Sequence, residues 1–365
     1  MLKKLKFCKP DTKNSVMTYA GLVIAFVLFS VLSAVGALSS MMKDLLVPLC
    51  VYAILAVSLN LTVGILGELS LGQAGFMCIG AYSGALFSYL LQDSIPLALV
   101  RFPLAMIIGG IFAAIVGLFI GVPVLRLRGD YLAIVTLAFG EIIKNIAASV
   151  YLGLDASGFH VSLKDAASLN MDADGKMIIS GALGINGTPN DSNFTIAFIV
   201  LLITTIVAYN FVNSRTGRAV MSIRDNRIAA ESVGINVTKY KPITFALTAF
   251  FAGVAGVLFS HNFSTLQASK FDYNLSILVL VFVVLGGIGS IRGSIIAAVI
   301  LTLIPELLRS SIGKYRMLIY AIILIGMMIL NNNEKFAKFK ENMTAKIAEK
   351  TKKNKKAKQD EKEVV

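Results

Sequence analysis

Residues 58–84 read SLNLTVGILGELSLGQAGFMCIGAYSG. The run is apolar enough to lie in hydrocarbon, yet Gly64, Gly67, Gly72, Gly75, Gly80 and Gly84 are too many for a plain lipid-facing helix. Small residues let helices approach closely, and glycine tolerates a break. A break at membrane depth survives only where protein or a water-filled cavity covers the freed backbone groups. Asn60, Glu68, Ser70 and Gln73 bring polar groups to the same place. Two readings fit: tight packing around a short turn, or a segment that lines a path through the membrane. On the second, Asn60, Gly64, Gly67, Gly72, Gln73, Gly75 and Tyr82 are candidate path residues.

The rest of the chain supports a membrane setting. Of 365 residues, 56% are hydrophobic and 15% charged, far too apolar a balance for a soluble domain of this size. The expected class is an all-α polytopic bundle, with Gly-rich segments that are broken or re-entrant. Ten apolar runs are candidate spans, most of about the length that crosses ~30 Å of hydrocarbon; the glycine-rich third and the short eighth could be broken or re-entrant. The ten are Val16–Leu38, Leu45–Leu66, Leu71–Leu90, Pro103–Val122, Tyr131–Tyr151, Phe194–Val212, Pro242–His261, Leu275–Leu285, Gly293–Leu308 and Met317–Leu330. The first is too long for a signal-peptide core and lacks a small-residue cleavage site, so no cleavable signal is expected. Cys8, Cys50 and Cys78 have no paired spacing and suggest neither a disulfide framework nor a metal site.

Lys and Arg set the orientation. With both termini in the cytoplasm, most of the 34 basic residues fall on that side. They include Lys3 to Lys13, Arg126, Arg128, the cations of 213–241, Arg292 and a Lys-rich tail over 331–365. Residues 1–15 form a basic leader to the bundle, and 16–330 the transmembrane unit. The loop 152–193 lies on the opposite face, carries five aspartates against two lysines, and is expected to be irregular. The tail is low-complexity and fits disorder or contact with anionic lipid. It lacks the aromatic interleaving of a nucleic-acid binder, so no nucleic-acid partner is expected.

One polar segment between apolar runs still has helical periodicity: NSRTGRAVMSIRDNRIAAESVGINVTKYKP, residues 213–242. Ala219, Val220, Ile223, Ile228, Ala229 and Val233 recur at helical spacing among Arg218, Arg224, Asp225, Arg227 and Glu231. Gly234 is a natural stop for a single amphipathic helix. Such a helix suits passing force to a soluble partner; a basic helix resting among lipid headgroups fits equally.

Two further signals lie within the apolar runs. In LRLRGDYLAIVTLAFGEIIKNI (125–146), Glu141 and Lys144 stand one turn apart. A lone charge at the bilayer centre costs ~2.5–3.5 kcal/mol, so the pair either faces a cavity or sits near the outer end as a structural pair. In VLGGIGSIRGSIIAAVIL (284–301), Gly286, Gly287, Gly289 and Gly293 surround a turn and faintly echo the first glycine cluster. Catalytic machinery and cofactor motifs are not found. The Gly-Lys pairs at Gly175 and Gly313 are followed by Met and Tyr rather than Ser or Thr. His160 and His261 have no ligand partner at helical spacing.

Together LNLTVGILGELSLGQAGFMCIGAY, LRLRGDYLAIVTLAFGEI, GRAVMSIRDNRIAAESVGINVTKYK and LGGIGSIRGSIIAAVI resemble permease subunits of branched-chain amino-acid ABC importers, the M-type in particular. The resemblance covers most of residues 45–310. It implies a bacterial inner-membrane protein that pairs with a second homologous permease, two cytoplasmic ATP-binding-cassette ATPases and a periplasmic or lipid-anchored substrate-binding protein. It also implies that Arg218–Gly234 is the coupling helix. Arg218, Arg224, Asp225, Ala229, Ala230 and Gly234 would then face the ATPases; Glu141, on the cavity-facing reading of its pair, is a further candidate path residue. The acidic 152–193 loop departs from the family's compact stretch. Urea, short amides or simple sugars are alternative solutes, and an ion-coupled transporter or a membrane scaffold are rival classes.

Overall fold

The computed structural model describes residues 12–35, 40–92, 97–125, 127, 129–155, 158–169, 175–311 and the isolated positions 322, 325 and 326. The tenth expected span, Met317–Leu330, and the Lys-rich tail lie outside these residues apart from those isolated positions.

The other nine apolar runs are helical. In order they are α1 (Thr12–Ala34), α2 (Ser40–Asn60), α3 (Gln73–Leu90), α4 (Ala98–Val124), α5 (Asp130–Ser149), α6 (Phe194–Asn213), α9 (Val237–Ser260), α10 (Tyr273–Gly286) and α11 (Ile291–Ser311). Among the described residues six stretches are long and apolar enough to cross a membrane: Met42–Leu66, Ala98–Val124, Asp130–Ser149, Phe194–Asn213, Val237–Ser260 and Ala268–Gly286. Thr18–Ser33 and Ile291–Pro305 are apolar but shorter. Helix α3 contains Gln73 and four glycine or serine positions in its first twelve residues, which lowers its apolarity.

Burial orders the bundle. The Met42–Leu66 span is 94% buried and Val237–Ser260 78%, against 22% for Asp130–Ser149. α2 and α9 are therefore interior, and α5 is peripheral. α3 and α4 pack against α9 over their length. The fit depends on glycine: a Cβ on Gly80 would run into the backbone of Gly253, and one on Gly256 into the Met77 carbonyl. Backbones in such contact leave no room for side chains, which is the small-residue packing by which apolar helices associate in lipid.

The all-α expectation is corrected. The described residues of 151–186 include four strands, β1 (Tyr151–Asp155), β2 (Gly158–Ser162), β3 (Lys176–Ser180) and β4 (Ile185–Asn186). β5 (Thr265–Leu266) completes an antiparallel sheet of order β2-β1-β3-β4-β5. Among the glycines that suggested irregular structure, Gly158, Gly181, Gly184 and Gly187 take positive φ around its turns. The strands are two to five residues long, too short for a clear alternating pattern. The sheet caps the end of the bundle where α5 and α9 finish and α6 begins; residues 214–236 lie at the opposite end of α6 and α9.

Arg101, buried in the first turn of α4, reaches across to this end and pairs with Asp191 at 2.7 Å. His261, which carried no expected partner, is buried just beyond α9. It bonds Ser88 Oγ through Nε2 at 2.7 Å and the Val257 carbonyl through Nδ1 at 2.9 Å. Both arrangements are structural ties between helix ends.

Candidate functional site: a covered helix break joined to the polar loop

Helix α2 does not run on into α3. It widens into a π-helical turn, Leu61–Leu66, and stops at Gly67, which adopts a left-handed conformation (φ 78°, ψ 17°). Only glycine takes that geometry without strain. Residues 67–72 are non-helical, and α3 restarts at Gln73. The break expected over 58–84 is therefore present, at the end of the 94%-buried Met42–Leu66 span, where Gly67 is exposed and Glu68 and Leu69 are half-buried.

A break in an apolar interior requires donors and acceptors from outside the helix. Several of the freed groups are satisfied, some from within the turn and some from neighbouring helices. Gly67 N–H and Glu68 N–H both return to the Thr62 carbonyl, the latter at 3.1 Å. Thr136 Oγ1 on α5 accepts Leu71 N–H at 2.9 Å, and Ser276 Oγ on α10 accepts Ala74 N–H at 3.0 Å. Glu68 forms an ion pair with Lys241 of α9, both side chains largely buried. Gln73 donates to Ser58 Oγ. The two threonine hydroxyls Thr62 and Thr248 meet at 2.8 Å.

Asn60, fully buried at the end of α2, bridges to the second glycine cluster. Its Oδ1 accepts Gly289 N–H at 2.8 Å, and its Nδ2 donates to Ser294 Oγ of α11 at 3.0 Å. Gly64 lies against the Gly289 backbone, so a Cβ there would clash with it and with Asn60 Oδ1. The two glycine-rich stretches that echo each other in sequence thus meet in space.

The polar loop is two helices, not one. α7 (Arg215–Asp225) and α8 (Arg227–Ser232) are separated at Asn226, which is extended (φ −157°, ψ 105°) and caps α8 by accepting Ala229 N–H at 3.1 Å. The expected single apolar stripe is divided accordingly. Val220 and Ile223 are buried under α7, while beyond the break it is Ala230 that turns inward, into a small core with Ile223 and Val237. Asn is a favoured N-cap, so the DNR triplet held the signal for this break. Gly234 does end α8, with φ 85°. Its N–H bonds the Glu231 carbonyl and Ile235 N–H bonds the Ala230 carbonyl, each at 3.0 Å, the paired bonds of a Schellman cap.

On the outward side of α8, Ile228 is 80% and Val233 74% exposed, next to exposed Ala229 and the Arg227–Glu231 pair. Arg218 is exposed as well, and its Nη1 donates to the Asn213 carbonyl at the end of α6. Arg224 turns the other way. Its Nε and Nη2 sit on Asp225 Oδ1 at 3.1 and 3.0 Å, and its Nη1 donates to the Gly64 carbonyl at 2.7 Å. The loop and the break are in direct contact.

Of the remaining candidates, Gly72 is the residue before α3 and Gly75 lies against Gly140 of α5. A narrow apolar crevice lined by Gly72, Phe76, Ile120, Thr136, Phe139 and Ile143 runs beside them. Tyr82 is half-buried two turns into α3, away from the break. Glu141 pairs with Lys144 and accepts Tyr273 N–H at 2.9 Å, so it fastens the start of α10 to α5. Thr62, Thr136, Thr248 and Ser276 were not anticipated; a hydroxyl inside an apolar helix is the one signal that could have marked them.

A buried apolar helix that ends in a glycine break, with a structured polar loop reaching it, fits a membrane-embedded transport component. The chain belongs to the family described as the branched-chain amino acid transport system / permease component, whose profile matches residues 41–330. It is 35% identical over 288 residues to the high-affinity branched-chain amino acid transport system permease protein LivM of Salmonella typhimurium, covering 76% of this chain and 66% of that protein. The Escherichia coli LivM is 34% identical with the same coverage. The ribose import permease protein RbsC of Haemophilus influenzae is 24% identical over 78% of this chain and 82% of its own length. The chain thus spans just under two thirds of the length of the LivM proteins it matches. No solved structure matches it.

Proposed function

We propose that this chain is a translocating subunit of an ATP-binding-cassette importer for the branched-chain amino acids Leu, Ile and Val. It moves by alternating access and is driven by ATPases on other chains. The observation that carries this reading is the α7–α8 segment. It is rigidly capped at both ends and buried on one side, and it leaves Ile228, Ala229 and Val233 uncovered on the other. An apolar patch on a polar loop is a docking surface for a soluble protein, here a cytoplasmic ATPase engaging Arg218, Ala229 and the α8 end at Gly234.

In this reading the chain sits in the bacterial inner membrane with both termini in the cytoplasm. It crosses about ten times within residues 16–330, leaving 1–15 and 331–365 in the cytosol. The sheet formed by 152–193 and β5 faces the periplasm. The partners are a second homologous permease, two ATP-binding-cassette ATPases, and a periplasmic or lipid-anchored binding protein, with lipid around them. The 58–75 region, with Asn60, Gly64, Gly67, Gly72, Gln73 and Gly75, forms the gate; Tyr82 and Glu141 stand further along the path. The chain holds no ATP-binding motif of its own, so hydrolysis falls to the partners.

The similarity to a ribose import permease favours a second reading, in which the solute is a simple sugar; urea and short amides stand behind it. Purification in mild detergent followed by reconstitution tests both. Recovery of an ATPase with the chain, and ATP-dependent leucine uptake that ribose and urea do not compete, support the first reading. ATP-dependent uptake of ribose alone supports the second. Uptake by this chain without ATP or partners overturns both in favour of an ion-coupled carrier.

A further inference from the structure

The carbonyl of Gly64 is left without a helical partner by the way α2 ends. In a continuing helix its bond would come from the amides that follow, but those of Gly67 and Glu68 both turn back to Thr62. The donor that fills this place comes from 160 residues further along the chain, Arg224 Nη1 at 2.7 Å. Two features hold the guanidinium there. Asp225 Oδ1 takes Nε and Nη2, leaving Nη1 as the arm aimed at the break. The stem of Arg224 lies on Gly67, where a Cβ would strike its Cγ.

We propose that Arg224 is the positioning residue that conveys movement of the α7–α8 segment to the gate, by capping the Gly64 carbonyl in trans. The inference rests on the importer reading above. A bond of this length does not survive a displacement of α7 along the bundle. A buried carbonyl left uncapped is unfavourable. A π-helical turn has an inexpensive response, because shifting one residue back to α-helical bonding re-aims everything that follows it. The turn is also held by the Thr62–Thr248 bond and, beside Gly64 itself, by the Asn60–Gly289 bond, so displacement at Arg224 changes the turn rather than dragging it whole.

The test uses the assembled complex in lipid, with Cys8, Cys50 and Cys78 replaced by Ala and half-buried Leu69→Cys as reporter. Thiol labelling is compared with and without ATP and vanadate, and the ratio of solute moved to ATP hydrolysed is measured. Arg224→Gln is expected to lower that ratio at least about tenfold and to abolish the nucleotide-dependent change in labelling, with Arg224→Lys intermediate. Arg224→Gln that keeps both readouts within about twofold of the unsubstituted chain overturns the proposal. Should Arg224→Gln fail to assemble, Arg224→Lys decides: it retains a donor but cannot take both bonds to Asp225. A reduced ratio in that variant supports the proposal, and an unchanged ratio overturns it. If the unsubstituted complex shows no labelling response to nucleotide at all, it is the importer reading that fails.

Discussion

Asn60 Oδ1 accepts the backbone amide of Gly289 at 2.8 Å, so the end of α2 is fastened to the turn between α10 and α11. The same side chain donates to Ser294, and no water reaches it. Asn60→Leu therefore strands a buried amide and should lower stability by about 1–3 kcal/mol. Asn60→Asp keeps the acceptor for Gly289 and should fall between Leu and the unsubstituted chain. Thermal unfolding in detergent measures the order; equal midpoints for Leu and Asn at this position would contradict it.

Glu68 and Lys241 neutralise each other where both are largely buried. Removing one partner leaves an uncompensated buried charge, at about 3–5 kcal/mol. Lys241→Met and Glu68→Gln should each reduce the yield of folded protein, while the double variant recovers most of it. A double variant no better than the worse single one would show that the pair does not act as a unit.

Glycine-to-alanine changes should split sharply by location. At Gly64 and Gly80 an added methyl meets backbone atoms of Gly289 and Gly253, which cannot retreat without moving a helix. Losses of about 1–3 kcal/mol or more are expected at both. Gly21 on α1 has nothing within 4 Å, and alanine there should be neutral or gain up to about 1 kcal/mol. Size-exclusion profiles and unfolding midpoints of the three variants provide the comparison.

In the polar loop, substitutions should distinguish holding the loop from docking on it. Gly234→Pro cannot adopt φ 85° or donate to Glu231, and Ala230→Asp puts a charge among Ile223 and Val237. Both should cut uptake and substrate-stimulated ATPase activity at least about tenfold in an assembled complex. Ile228→Glu alters only an exposed position, so the chain should fold normally and lose its ATPase in pull-downs. Retention of the ATPase by Ile228→Glu would place the docking surface elsewhere.

Much of this was legible from composition and glycine placement. Helical spans show because each one carries its signal over many residues, and the break shows because glycine and polar residues coincide in an otherwise apolar run. The stop at Gly234 was equally plain, since left-handed geometry selects its residue. What was hidden depends on distant partners. Arg224 looks in sequence like any cation of a basic loop, and its bond to Gly64 exists only after α2, α7 and α9 assemble. The sheet escaped because two- to five-residue strands carry too little pattern, and β5 begins 79 residues after β4 ends. The split at Asn226 was missed because apolar spacing continues across it, whereas the backbone does not.

The pairing of Ile185 with Leu266 has a consequence for biogenesis. Strands that bond to each other must emerge on one side of the bilayer, so the chain between them makes an even number of crossings, which α6 and α9 supply. It also means that β4 keeps an open edge on the ribosome-bound chain until α9 has been inserted. Nascent chains released before residue 266 should accordingly be cut by an external protease within 151–186, and chains released later should resist.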